Sequence, residues 1–115
     1  MISEEHIDVD LSPLREITDG DKQVEKELIR CFIEQSDGNL QELDKSLKDG
    51  DSNTWREVSH MLKGAAAGIG AGTLHQLCER AQNLEPSATE EQLALFTQIK
   101  MEYEKVRKFL VSNLE

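Results

Sequence analysis

Apolar residues in this chain recur every three or four positions and nowhere alternate one by one, so the pattern predicts helices and no strands. Ser12-Pro13 reads as an N-cap followed by proline at the first helical position. It opens a short helix with Leu14 and Ile17 on one side, broken by Asp19-Gly20-Asp21. The next helix runs from about Lys22 to Ser36, with Val24, Leu28, Cys31, Phe32 and Gln35 as its inward stripe. Asp37-Gly38 marks a break or kink. A third helix then lines up Leu40, Leu43 and Leu47 and ends at Asp49-Gly50. Asp51 or Ser52 caps a fourth, whose stripe is Trp55, Val58, Leu62, Ala65 and Ile69, closed by Gly70-Ala71-Gly72. A fifth carries Leu74, Leu77, Cys78, Ala81 and Leu84 and stops before Pro86. Thr89 with Gln92 forms a capping box for the last helix, which aligns Leu93, Phe96, Ile99, Tyr103, Val106 and Leu110.

The expected fold is all-α. Short connections imply antiparallel neighbours, hence an up-and-down four-helix bundle with a short accessory helix, or more than one, at the N-terminus. A length of 115 residues suits a single domain over 1–115. It leaves no room for a nucleotide-binding domain beside the bundle. No long unbroken heptad run is present, which predicts a monomer.

Charge narrows the partners. A formal net charge of −10 disfavours the nucleic-acid backbone and anionic membrane surfaces, and favours proteins with basic patches. No apolar run approaches the roughly 20 residues of a membrane span. The first ten residues show neither a basic nor an apolar signal region. Cys31 and Cys78 lie far apart, in apolar stripes, and read as reduced core thiols of a cytoplasmic protein.

One helix looks chemical. At about 100° per residue, His60 falls opposite the core stripe of its own helix and points outward. Gly64 stands one turn on, and Ala67 and Ala71 continue the outer face. Arg56 and Glu57 lie one turn back, and Lys63 sits at i+3. A solvated helix face normally carries long polar side chains, whereas this one is stripped to Gly and Ala. Each interior glycine, Gly64 and Gly68, costs about 1 kcal/mol relative to alanine. An exposed imidazole, a nearby ammonium and a bare ledge suit transfer of an anionic group to or from a closely approaching protein. The residues alone leave a plainer account open, in which the small side chains admit a further helix and His60 is simply solvated.

His60-Met61-Leu62-Lys63-Gly64-Ala65, followed by Ile69-Gly70-Ala71, resembles the signature H-x-L-K-G-[SA] then [ILV]-G-A of histidine-containing phosphotransfer (HPt) domains. The likeness extends to Leu74, Cys78 and Leu84-Glu85 downstream. Upstream it reaches Ile7-Asp8, Leu14-Arg15-Glu16, Gly20-Asp21 and Cys31-Phe32. The resemblance implies a four-helix bundle, His60 as phosphoacceptor through Nε2, Lys63 as the basic neighbour of the phosphoryl group, and Gly64 as the small residue that clears the ring. Gly68 departs from it, since many members have a polar residue there. It further implies a phosphoryl carrier and not an autonomous enzyme, working with response-regulator receiver domains and a sensor or hybrid histidine kinase. No cofactor is expected on the chain itself, and Mg²⁺ is expected on the receiver. The partner surface is expected at Arg56, His60, Lys63, Gly64, Ala67, Gly68 and Ala71.

Other candidates are weaker. His75 and Cys78 have the i, i+3 spacing of a helical metal pair but no further ligand nearby. His6 is expected to be solvated, and Trp55, Met61, Phe32 and Phe96 to be core or helix-interface residues. Two other functions remain open: a helical adaptor that binds receivers or kinases without being phosphorylated, and a hydrolase. No catalytic constellation accompanies His60 to support the hydrolase.

Overall fold

A computed structural model describes residues 7–115 and contains five helices: α1 (Ser12–Thr18), α2 (Lys22–Asp49), α3 (Ser52–Ile69), α4 (Gly72–Gln82) and α5 (Thr89–Ser112). Helix α2 packs on α3 and α5, and α4 on α3 and α5, closing a four-helix ring, while α1 lies against α2 and α3. This is the expected all-α bundle with one accessory helix.

Local chemistry sets the ends. Asp21 accepts from the Gln23 and Val24 N–H groups at the start of α2, and Gly50 ends it with φ +67°. Asp51 caps α3 through the Thr54 N–H, and Gly70 ends it with φ +80°. There the Ala71 N–H reaches back to the Ala66 carbonyl (2.8 Å) and the Gly70 N–H to that of Ala67 (3.1 Å), which occupies two of the four carbonyls orphaned at the helix end. Two expected caps are absent. Leu11, not Ser12, holds the N-cap position of α1, and the Ser12 N–H is taken by the Asp10 carboxylate (3.0 Å). The Thr89–Gln92 box is not made either: Ala88 is the N-cap of α5, and Gln92 turns inward and is buried.

The largest departure concerns α2. It runs unbroken through Asp37-Gly38 for 28 residues and absorbs the separately expected third helix. Asp37 can end a helix by turning its carboxylate onto its own backbone. Here that carboxylate is taken by α5: the Arg107 guanidinium donates to it from Nε (3.1 Å) and Nη2 (3.2 Å), and the Tyr103 hydroxyl donates as well. The buried stripe of α2 is also one residue out from the expected one. Ile29, Phe32, Ile33, Ser36, Asn39 and Leu43 face the core, whereas Val24, Leu28 and Cys31 are exposed. Glu25 is buried in the same stripe and pairs with Arg15 of α1 (3.1 Å).

Smaller corrections follow the same logic. Leu14 is buried but Ile17 is 78% exposed. On α3, Ala66 is buried and Ala65 half-buried, so the stripe leans toward α4. On α5, Leu95 replaces the exposed Leu93. Helix α4 stops at Gln82, short of Leu84. The centre of the core is Leu43, Trp55, Leu62, Leu74, Ile99 and Tyr103, with the Trp55 indole N–H donating to the Ala81 carbonyl (2.9 Å).

An N-terminal strap, residues 8–11, crosses the turn between α3 and α4. The Asp10 N–H donates to the Gly70 carbonyl (2.9 Å), Val9 bridges to Ala71, and the Thr73 hydroxyl donates to Asp8 Oδ2 (2.8 Å). Leu11 then enters the core. A Cβ at Gly70 would lie 1.9 Å from the Asp10 carbonyl oxygen, so the strap needs glycine there.

Candidate functional site

His60 lies in the third turn of α3. Val58, Ser59 and Leu62 are drawn into the core, which leaves the imidazole exposed. The face beyond it is as bare as the spacing implies. Gly64, Ala67 and Gly68 are exposed, and a Cβ on either glycine would meet nothing within 4 Å. These glycines are not demanded by packing inside the bundle. Lys63 is half-buried at the α4 side of the helix, and no carboxylate of the described residues forms an ion pair with it. Arg56 is exposed one turn before His60.

Ala71 does not belong to this face. It is fully buried as the N-cap of α4, covered by Val9 of the strap. The left-handed Gly70 turns the chain before Ala71, so the helical continuation assumed for it ends at Ile69. The exposed strip therefore runs from Arg56 to Gly68.

Two neighbours of the strip were not legible as such. On the α2 side lies a groove of about 200 Å³, lined by Leu28, Cys31 and Gln35 of α2 and Ala65 and Gly68 of α3. Met61, expected as a core or helix-interface residue, is 50% exposed beside His60, and Ile17 and Val24 are exposed as well. Val24, Leu28 and Cys31, expected in the core, form a second apolar line on the outside of α2. On the other side, Arg56 lines a polar cleft of about 340 Å³ with Gln82, Asn83 and Gln92. Gln82 Oε1 is buried there without a hydrogen-bond partner. No feature of the sequence marked Gln82.

The His75 ring Nδ1 lies 3.1 Å from the Lys63 carbonyl oxygen. Cys78 is buried, and burial pushes its thiol up to about 12. The two side chains thus serve separate surroundings. Among the described residues no group of three or more His, Cys, Asp or Glu is placed to hold a metal ion. No helix of the described residues is long and apolar enough to cross a membrane. His6 lies outside the described residues.

The chain matches the family model described as the Hpt domain over residues 27–109. It is 35% identical to the phosphorelay intermediate protein YPD1 of Candida albicans over 78 residues, 65% of this chain and 42% of that protein. It is 33% identical to the YPD1 of Saccharomyces cerevisiae over 76 residues, covering 64% of this chain and 45% of that one. The multistep phosphorelay regulator 1 of Schizosaccharomyces pombe is 31% identical over 71 residues, with 61% and 24% covered. The matches thus span less than half the length of these relatives. In fold, the chain is similar to the crystal structure of histidine-containing phosphotransfer protein B (HptB) from Pseudomonas aeruginosa PAO1. The TM-score is 0.83 and the identity 23%, with 93% of this chain and 94% of that chain covered.

Proposed function

The chain belongs to the Hpt domain family, and from that membership we propose that it carries a phosphoryl group on His60 between receiver domains of a phosphorelay. The observation that carries this reading is the exposed imidazole on a helix face stripped to Gly64, Ala67 and Gly68, with open space above both glycines.

The neutral ring attacks, through the Nε2 lone pair, the phosphorus of an aspartyl phosphate on the partner. The P–N bond forms as the acyl P–O bond breaks. The electron pair leaves with the aspartate carboxylate, and the ring sheds its Nδ1 proton to solvent. The transition state is loose, with charge on the equatorial oxygens, so positioning outweighs acid–base work. Lys63 supplies a cation one turn from the ring, and Gly64 admits the partner's loops. Mg²⁺ and the remaining machinery belong to the receiver. The chain is then a carrier and substrate without an autonomous catalytic site, fed by a sensor or hybrid histidine kinase through its receiver. Two free cysteines fit a cytoplasmic setting.

We place the docking surface on the strip from Arg56 to Gly68 and on the apolar edge beside it: Leu28, Cys31 and Met61. Large apolar side chains left exposed in a patch mark a contact surface, and this one adjoins the reacting ring.

The test is incubation of the purified protein with a phosphorylated receiver and Mg²⁺, wild type against His60→Gln. An acid-labile, alkali-stable phosphate on the wild type alone is expected. Binding that survives His60→Gln, with no phosphohistidine on the wild type, would replace the carrier by a docking adaptor.

A further inference from the structure

The bare stretch of α3 creates a mechanical difficulty. From Gly64 to Gly68 the helix offers hydrogens and methyl groups only. A seam of alanines resists rotation of a helix about its own axis weakly, because few atoms interlock with the neighbours. Phosphoryl transfer depends on in-line placement of the ring, and small angular errors are costly. Val58 and Leu62 anchor the His60 turn from the core side, but between Leu62 and Ile69 only Ala66 is buried, so a directional contact at Lys63 adds to the hold on the azimuth where the side chains supply least.

His75 on α4 is the group in place to do so. Its Nδ1 lies 3.1 Å from the Lys63 carbonyl oxygen. That carbonyl already accepts the Ala67 N–H inside α3, and an oxygen has a second lone pair to give. A carbonyl can only accept, so in the neutral ring this bond requires the proton on Nδ1 and leaves Nε2 bare. His75 is itself held. The start of α4, two residues earlier, is tied to the strap by the Thr73 hydroxyl on Asp8 (2.8 Å) and by the Val9–Ala71 bridge. The ring therefore reaches α3 from a fixed base, on the flank of the helix away from the groove.

We propose that His75 is a positioning residue for phosphoryl transfer, acting through the Lys63 carbonyl to hold the His60 turn of α3 in register. It touches neither the phosphoryl group nor the imidazole of His60. The inference rests on the carrier reading of His60.

Three measurements test it. Nitrogen-15 NMR of the ring above its titration is expected to show Nδ1 protonated and Nε2 bare; free histidine favours the opposite tautomer. Transfer from a phosphorylated receiver, followed at saturating and subsaturating receiver, is expected to lose about tenfold in maximal rate in His75→Leu. The half-saturating receiver concentration should stay unchanged, since the docking surface is intact. His75→Asn, whose side-chain amide puts an N–H donor near the position of Nδ1, is expected to recover most of the rate. An Nε2–H tautomer, a wild-type rate in His75→Leu, or equal losses in the Leu and Asn variants would each overturn the proposal. If the wild type forms no phosphohistidine, the carrier reading falls instead. The tautomer measurement still reports on the hydrogen bond in that case.

Discussion

Gly64 and Gly68, where a side chain would meet no other part of the bundle, separate fold from function more cleanly than any buried residue. A methyl group at Gly64 meets nothing within 4 Å. Gly64→Ala should therefore stabilise the protein by about 1 kcal/mol, the helix-propensity difference, read as a raised urea midpoint. Gly64→Gln should be at least as stable as the wild type yet accept phosphate from a receiver at least tenfold more slowly. A normal transfer rate in Gly64→Gln would mean that the bare ledge does not serve access. The cysteines make a second pair. Cys31 is exposed and Cys78 is buried, with its thiol pushed up to about 12 by that burial. Mild alkylation of the native protein at pH 8 should add one label, on Cys31, and unfolding should release the second; intact mass reads both. Sequence treated the two alike, because each sits in an apolar helical line. Only the packing of α2 tells them apart.

Among the helices, α3 was legible and α2 was not, and the reason is visible in their side chains. On α3 the apolar line Trp55, Val58, Leu62 and Ile69 has no rival, so the outward direction of His60 follows from spacing alone. Helix α2 carries two lines. Val24, Leu28 and Cys31 form an uninterrupted one and lie outside. The line that packs is diluted by Glu25, Ser36, Asn39 and Ser46, each buried. Partners from other helices make that dilution tolerable at Glu25, which meets Arg15, and decide the continuity of α2 at Asp37. Asp37-Gly38 is a helix stop in isolation. The stop is overridden from α5, 66 and 70 residues away, by Tyr103 and Arg107. This network sets a pH signature. The Arg107 hydrogen bonds, with Tyr103 assisting, hold the Asp37 carboxyl below the usual carboxylate range. Its contribution is present above about pH 4, the unfolded value, and is lost as pH falls through the folded one. Burial, and then the Asp37 hydrogen bond, push the Tyr103 hydroxyl up. That contribution is complete below about pH 10 and is lost as pH rises further. Urea midpoints against pH should show both limbs. Asp37→Asn should flatten the acid one, and Tyr103→Phe should flatten the alkaline one and leave less of the acid one. An unchanged acid limb in Asp37→Asn would assign it to other carboxylates.

The described residues measure 45 × 36 × 19 Å, and α2 alone, at 1.5 Å per residue, is roughly 42 Å long. The bundle is thus a thin slab with α2 as its spine. The accepting strip from Arg56 to Gly68 covers roughly 18 Å of one side. It ends where the strap of residues 8–11 crosses the α3–α4 turn. The family match begins at residue 27, beyond both the strap and α1. Yet Leu11 and Leu14 are core residues, and the fully buried Ala71 pairs with Val9. A fragment starting at residue 27 should retain most of its helical circular dichroism, lose at least 3 kcal/mol of stability, and exchange the Gly70–Thr73 amides rapidly. An undiminished urea midpoint would show the strap to be ornamental. The stretch matched by the family model and the stretch that builds the core are therefore different lengths of chain. The amino-terminal segment acts as a keystone: residues outside the matched stretch close the arch that α3 and α4 form at their turn.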